Sequence, residues 1–155
     1  MTASIVARDA HTGELGVGVF TAYPSVGMRV PFAEPGVGVV ASQGMADRSF
    51  GPHALKRLRE GASAAEVVEQ LTQADPAAHT RQIAVISAKG DTAGFTGESC
   101  ISYVGEMPGE SCRCQANMMA APGVPEAMSA AFAAADGNLS VRLLSALEGG
   151  QMAGR

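Results

Sequence analysis

Apolar and polar residues alternate with a period of two at the start of the chain. In Thr2-Ala3-Ser4-Ile5-Val6-Ala7-Arg8, residues Thr2, Ser4 and Val6 fall on one face of a predicted strand and Ala3, Ile5 and Ala7 on the other. A second strand is predicted over 14–21, after Asp9-Ala10-His11-Thr12-Gly13, five residues rich in turn formers. The two predict an antiparallel hairpin, and a symmetric turn brings Thr2 beside Phe20 and Thr21 at one rim of a sheet. Gly36-Val37-Gly38-Val39-Val40-Ala41-Ser42 is almost continuously apolar, the pattern of a strand buried on both faces. It follows a connection punctuated by Pro24, Pro31 and Pro35.

The period then changes to that of a helix. Gly51-Pro52 suits an N-cap and first helical position, Leu55 and Leu58 form a stripe, and Gly61 suits the residue after the C-cap. Ser63-Ala64-Ala65-Glu66 has the spacing of a capping box opening a second helix, with Val67, Val68 and Leu71 inward and Asp75-Pro76 as the stop. Strands resume at 82–87 and 92–96 around the turn Ala88-Lys89-Gly90-Asp91, with shorter ones expected at 101–103 and 113–117. Two further helices are predicted at 124–135 and 139–149. Strand runs alternating with helix pairs predict a layered α+β sandwich with helices on both outer faces.

A length of 155 residues fits one domain, 1–155, able to bury a substantial core. The formal charge of -4 provides no basic stripe for a phosphate backbone, so nucleic-acid binding is not expected. No apolar run approaches the ~20 residues of a membrane span, and no secretory leader precedes the first strand. The expected setting is cytoplasmic, with no membrane partner. Cys100, Cys112 and Cys114 are an odd set without metal-ligand spacing; they read as reduced thiols, with Cys100 able to face the other two across a hairpin. No metal or organic cofactor is expected.

Conventional catalytic constellations are missing. His11, His53 and His79 fall in a turn, a helix start and a loop, where they read as surface or capping residues. The Gly-rich strand lacks the spacing of a nucleotide-binding loop. Two features remain. Methionine is commonly trimmed before a small residue, which would give Thr2 a hydroxyl and a free α-amine, a nucleophile and base on one residue. Polar residues also gather at strand ends: Gln43, Arg81-Gln82 and Gln115-Ala116-Asn117. Amides beside a hydroxyl nucleophile could donate to an oxyanion, and Arg81 could meet a substrate carboxylate.

Several ordered segments carry a resemblance: Thr2 to Asp9, Thr12-Gly13-Glu14-Leu15-Gly16-Val17, Ser25-Val26-Gly27, Gly36 to Gln43, Arg81-Gln82, Phe95-Thr96-Gly97 and Cys114-Gln115-Ala116-Asn117-Met118. Together they resemble the uncharacterised bacterial family known as domain of unknown function 1028, grouped with the Ntn-hydrolase superfamily. The resemblance implies a four-layer αββα sandwich and amide-bond hydrolysis by the N-terminal residue. It makes Thr2 the nucleophile and its amine the base; beside it, strand position makes Ser4 a fallback hydroxyl, and Gln43, Asn117 or backbone N–H groups are the expected oxyanion donors. Thr21, Arg81, Gln82 and Gln115 are expected to contact substrate, a small-molecule amide or imide.

The chain also departs from the family pattern. Thr21-Ala22-Tyr23 stands where relatives commonly carry Ser followed by His or Lys. The sequence stops at Arg155, before a further Gly/Asp-rich turn and strands, which predicts either a truncated or proteolysed form or a sandwich short of its C-terminal strands unless a partner supplies them. A retained Met1 acylates the amine. These departures motivate an alternative: a ligand-binding or assembly protein on the same fold, forming a homo-oligomer.

Overall fold

Burial on both sides of the first strand resolves the alternation that opens the sequence. In the computed structural model, which describes residues 1–154, β1 (Thr2–Arg8) turns Ala3, Ile5 and Ala7 into one apolar cluster and Val6 into another. β2 (Leu15–Thr21) returns antiparallel with Thr2 opposite Thr21. After β3 (Pro31–Glu34) and β4 (Gly38–Gly44) come α1 (Phe50–Arg59) and α2 (Ala64–Ala74). Then follow β5 (Arg81–Ser87), β6 (Thr92–Thr96), β7 (Gly105–Gly109), β8 (Cys112–Asn117), α3 (Val124–Ala134) and α4 (Leu139–Ala153).

The strands form two four-stranded sheets, ordered β2-β1-β8-β7 and β3-β4-β5-β6, with antiparallel pairing throughout. Three apolar clusters bind them into layers. Val6 meets Val39, Ala41, Ala84 and Ile86 between the sheets. Ile5, Cys114 and Ala116 face Met128, Phe132 and Ala146 of α3 and α4, while Val40, Ile83 and Val85 face Leu55, Leu58, Val67 and Leu71 of α1 and α2. Each fully buried Ile or Val contributes roughly 1.5–3 kcal/mol relative to exposure. Gly16 and Gly18 let α4 settle on β2: a Cβ at Gly18 would stand 3.1 Å from Leu147, and one at Gly16 would be 2.5 Å from Leu143. Among the described residues no helix is long and apolar enough to cross a membrane.

The capping box opens α2: Ser63 Oγ accepts from the Glu66 N–H at 3.3 Å, and Glu66 Oε2 accepts from the Ser63 N–H at 2.7 Å. Other boundaries differ from expectation. The Pro-punctuated connection contains β3, an edge strand whose first residue is Pro31, where a missing N–H is tolerated. The following strand starts at Gly38, because Gly36 turns the chain with φ +71°, and it continues through Gln43. Helix α1 begins one residue before Gly51, with Ser49 in the N-cap position. Residues 101–103 form no strand; the edge of that sheet is β7, whose Gly and Pro conceal it from a propensity reading. Cys100 therefore does not face Cys112 and Cys114: its Sγ donates to Arg81 O at 3.3 Å.

Replacing Ser63 with Ala removes an acceptor at the start of α2 and should lower unfolding free energy by about 1 kcal/mol. Urea denaturation checks this; an unchanged midpoint would show that the Glu66 side chain alone holds the helix start.

Candidate functional site

Pleat alternation that carries apolar residues into the interlayer also carries polar ones there, at the end of the sheets where Thr2 lies. On β1 the interlayer face reads Thr2, Ser4, Val6; on β8 it ends in Gln115 and Asn117; on β4 and β5 it contributes Gln43 and Gln82. Register sets these residues opposite one another, Thr2 with Asn117, Ser4 with Gln115 and Gln43 with Gln82.

Gln82 is the centre of the group. Its Oε1 accepts from Gln43 Nε2 at 2.8 Å and from Asn117 Nδ2 at 3.1 Å. Its Nε2 lies within bonding distance of Gly105 O at 3.0 Å, Thr96 Oγ1 at 3.1 Å and Ala116 O at 3.2 Å. One carboxamide thus ties β5 to β4, β6, β7 and β8. Gln115 Nε2 adds a second bond between the sheets, to Ala41 O at 3.2 Å. Ser4 Oγ, Gln43 Oε1, Gln115 Oε1 and Asn117 Oδ1 are buried without a protein partner among the described residues.

A cavity of about 480 Å³ opens beside this group, lined by Thr2 and Thr21, by Tyr23, Val26 and Arg29 after β2, and by Gln43 to Ala46 and Arg81. Of the residues singled out in the sequence, Thr2, Thr21, Gln43 and Arg81 line it. Ser4, Gln82, Gln115 and Asn117 do not: they lie further inside, essentially without solvent exposure. The fallback hydroxyl and the two glutamines expected to contact substrate are structural members of the interlayer. Gln43 and Asn117 differ from their expected role in another way, because both amide nitrogens are aimed at Gln82.

Thr2 Oγ1 stands 3.0 Å from Thr21 Oγ1. Thr21 donates its hydroxyl proton to Met1 O at 2.7 Å and accepts from the Tyr23 N–H at 3.1 Å. A hydroxyl has one proton. With that of Thr21 committed to Met1, the bond between the two threonines runs from Thr2 to Thr21.

Arg81 is engaged before any ligand arrives. Its Nε donates to Asp75 Oδ2 at 2.7 Å, Nη1 donates to Met45 O, and Nη2 lies 3.9 Å from Asp47 Oδ2. The Arg81 hydrogen bond is also the main cause holding the Asp75 carboxyl below its ordinary range. Gly44 makes the neighbouring bend possible: its φ is +79°, and a Cβ would stand 2.6 Å from Thr80 O. Met45 N–H donates to that same oxygen, fixing the loop that carries Ala46 into the cavity.

Arg29, which sequence reasoning passed over, stacks on Tyr23 with its guanidinium carbon 5.1 Å from the ring centre. Only the general tendency of Arg beside Tyr marked this pair in the sequence. Cys112 and Cys114 lie away from the cavity, beneath α3 and α4; the hydrogen bond with Cys112 and burial push the Cys114 thiol up. All three cysteines are free. No group of three or more His, Cys, Asp or Glu side chains that could hold a metal ion occurs among the described residues.

The chain belongs to the Family of unknown function (DUF1028), which it matches over residues 2–155. It is similar to the crystal structure of a protein of that family from Silicibacter pomeroyi, at 33% identity and a TM-score of 0.95, covering 99% of this chain and 68% of the other. No curated protein matches it.

Two outcomes follow from the site's polar bonds. Gln82→Leu strands Asn117 Nδ2 and removes the shared acceptor of Gln43, so unfolding free energy should fall by about 3 kcal/mol or more; a loss under about 1 kcal/mol in urea would contradict the hub. Asp75 has a depressed folded pKa, so its contribution is present above the ordinary carboxylate value of 3.8 and is lost as pH falls through the lower folded value. Asp75→Asn should flatten the acid limb of stability against pH, measured by urea midpoints at successive pH values.

Proposed function

We propose that the protein is an N-terminal-nucleophile amide hydrolase acting on a small amide or cyclic imide, on an Ntn-hydrolase-like αββα sandwich. The observation that carries this reading is the Thr2 hydroxyl at the cavity wall, hydrogen-bonded to Thr21 on a strand whose preceding residue is removable. Two sheets packed face to face, each covered by a helix pair, support the fold assignment.

Removal of Met1 frees the Thr2 amine and takes away the acceptor of the Thr21 proton. The amine then draws the proton from Thr2 Oγ1, directly or through Thr21, as the oxygen attacks the carbonyl. An acyl ester on Thr2 forms as the C–N bond breaks, and the amine returns the proton to the leaving nitrogen. Water then hydrolyses the ester by the same route. Gln43 and Asn117 are committed to Gln82, so the oxyanion donor in this reading is the backbone N–H of Ala46. That group has no protein acceptor among the described residues, and Ala46 lines the cavity.

A second reading keeps the cavity as a ligand site without turnover. It is favoured by the bond from Thr21 to Met1 O, which holds an acylated Thr2 in place. Intact mass of freshly expressed, untagged protein separates the two. The hydrolase reading expects a mass without Met1 and an amidase activity, against a panel of small amides, that Thr2→Ala abolishes. Retained Met1, or a Thr2→Ala variant of undiminished activity, would overturn it.

A further inference from the structure

We propose that the cavity selects ligands bearing a carboxylate, and that Arg29 is the residue that binds it. Applied to the hydrolase reading, on which this extension rests, the substrate is an amide whose far end is a carboxylate, as in an N-acyl amino acid.

The cavity lining contains two cationic side chains, Arg29 and Arg81, beside the α-amino group of the N-terminal residue, and no Asp or Glu side chain. Arg81 is neutralised from behind by Asp75 and Asp47 and further occupied by Met45 O. The Arg29 guanidinium has no carboxylate within 4.0 Å and donates no hydrogen bond among the described residues. A protein with a formal charge of -4 therefore presents an uncompensated positive group at this cavity.

Geometry adds selectivity. Arg29 follows the short 3-10 turn Val26–Met28, where its N–H donates to Val26 O at 2.9 Å, and the turn packs by Val26 against the interlayer cluster. Stacking on Tyr23 covers one face of the guanidinium and leaves its edge available. That edge is a planar fork of donors, matched to the two oxygens of a carboxylate. A single cation suits a monoanion better than a phosphate dianion. The cavity volume of about 480 Å³ accommodates an acylated amino acid together with the Thr2 hydroxyl.

Binding, not turnover, is the direct test. N-benzoylglycine and its neutral primary amide are titrated calorimetrically into wild-type protein and into Thr2→Ala, Arg29→Gln and Arg29→Lys variants, with circular dichroism confirming folding. The carboxylate should bind at least about tenfold more tightly than the amide, and Arg29→Gln should erase that preference while Arg29→Lys keeps part of it. Raising salt should narrow the gap. Equal binding of the two probes, an intact preference in Arg29→Gln, or no saturable binding of N-benzoylglycine below about 10 mM would overturn the proposal. Inorganic phosphate displacing N-benzoylglycine at lower concentration than acetate would also overturn it, in favour of a phosphate site. Full amidase activity in Thr2→Ala would sink the hydrolase reading and leave the carboxylate preference standing.

Discussion

Two sheets that face each other across an apolar interlayer can slide unless something directional holds them. Here the main directional element is the Gln82 carboxamide, which receives Gln43 and Asn117 on its oxygen and reaches Gly105 O, Thr96 Oγ1 and Ala116 O through its nitrogen, with the Gln115 bond to Ala41 O beside it. Val and Ala contacts at the other end of the interlayer supply burial without direction. Because Asn117 lies opposite Thr2, and the Gln43 nitrogen is also 3.5 Å from Thr2 O, the hub sets the position of the N-terminal strand. Cavity walls built from β1, the end of β2 and the end of β4 inherit that position.

The division of labour between Arg81 and Arg29 follows from where each sits. Arg81 begins β5 beside the loop that follows α2, so Asp75 is within reach and the guanidinium becomes a brace between that loop and the Met45 carbonyl. Arg29 follows a single turn and forms no ion pair within 4.0 Å among the described residues. Two residues of the same type on one cavity thus differ: Arg81 is committed to holding the wall, while the Arg29 guanidinium has no ion pair among the described residues. This distinction depends on neighbours brought from other elements, and no local pattern encodes it.

Readability from the sequence divides along the same line. Local signals were sufficient for the β1–β2 hairpin, for the Ser63 to Glu66 cap and for α3 and α4, because period, turn residues and caps act within a few positions. The gathering of Gln43, Gln82, Gln115 and Asn117 was also foreseeable, since each ends or enters a strand. Which of them line the cavity was not. That depends on how deep each register position lies once the second sheet is packed on, and it separates Gln43 from Ser4 and Gln82. β3 and β7 escaped notice because edge strands are held by one neighbour and tolerate Pro31 and Pro108, residues that argue against strands.

The bond from Thr21 to the Met1 carbonyl has a practical side. Any peptide preceding Thr2 offers a carbonyl at that same position, so an affinity tag fused ahead of the first strand reproduces the contact and keeps the nitrogen acylated whatever the host's aminopeptidases do. The form of the protein obtained from a cell is then decided by how its coding sequence was built. Tag placement belongs among the chemical variables of this site, alongside pH and salt.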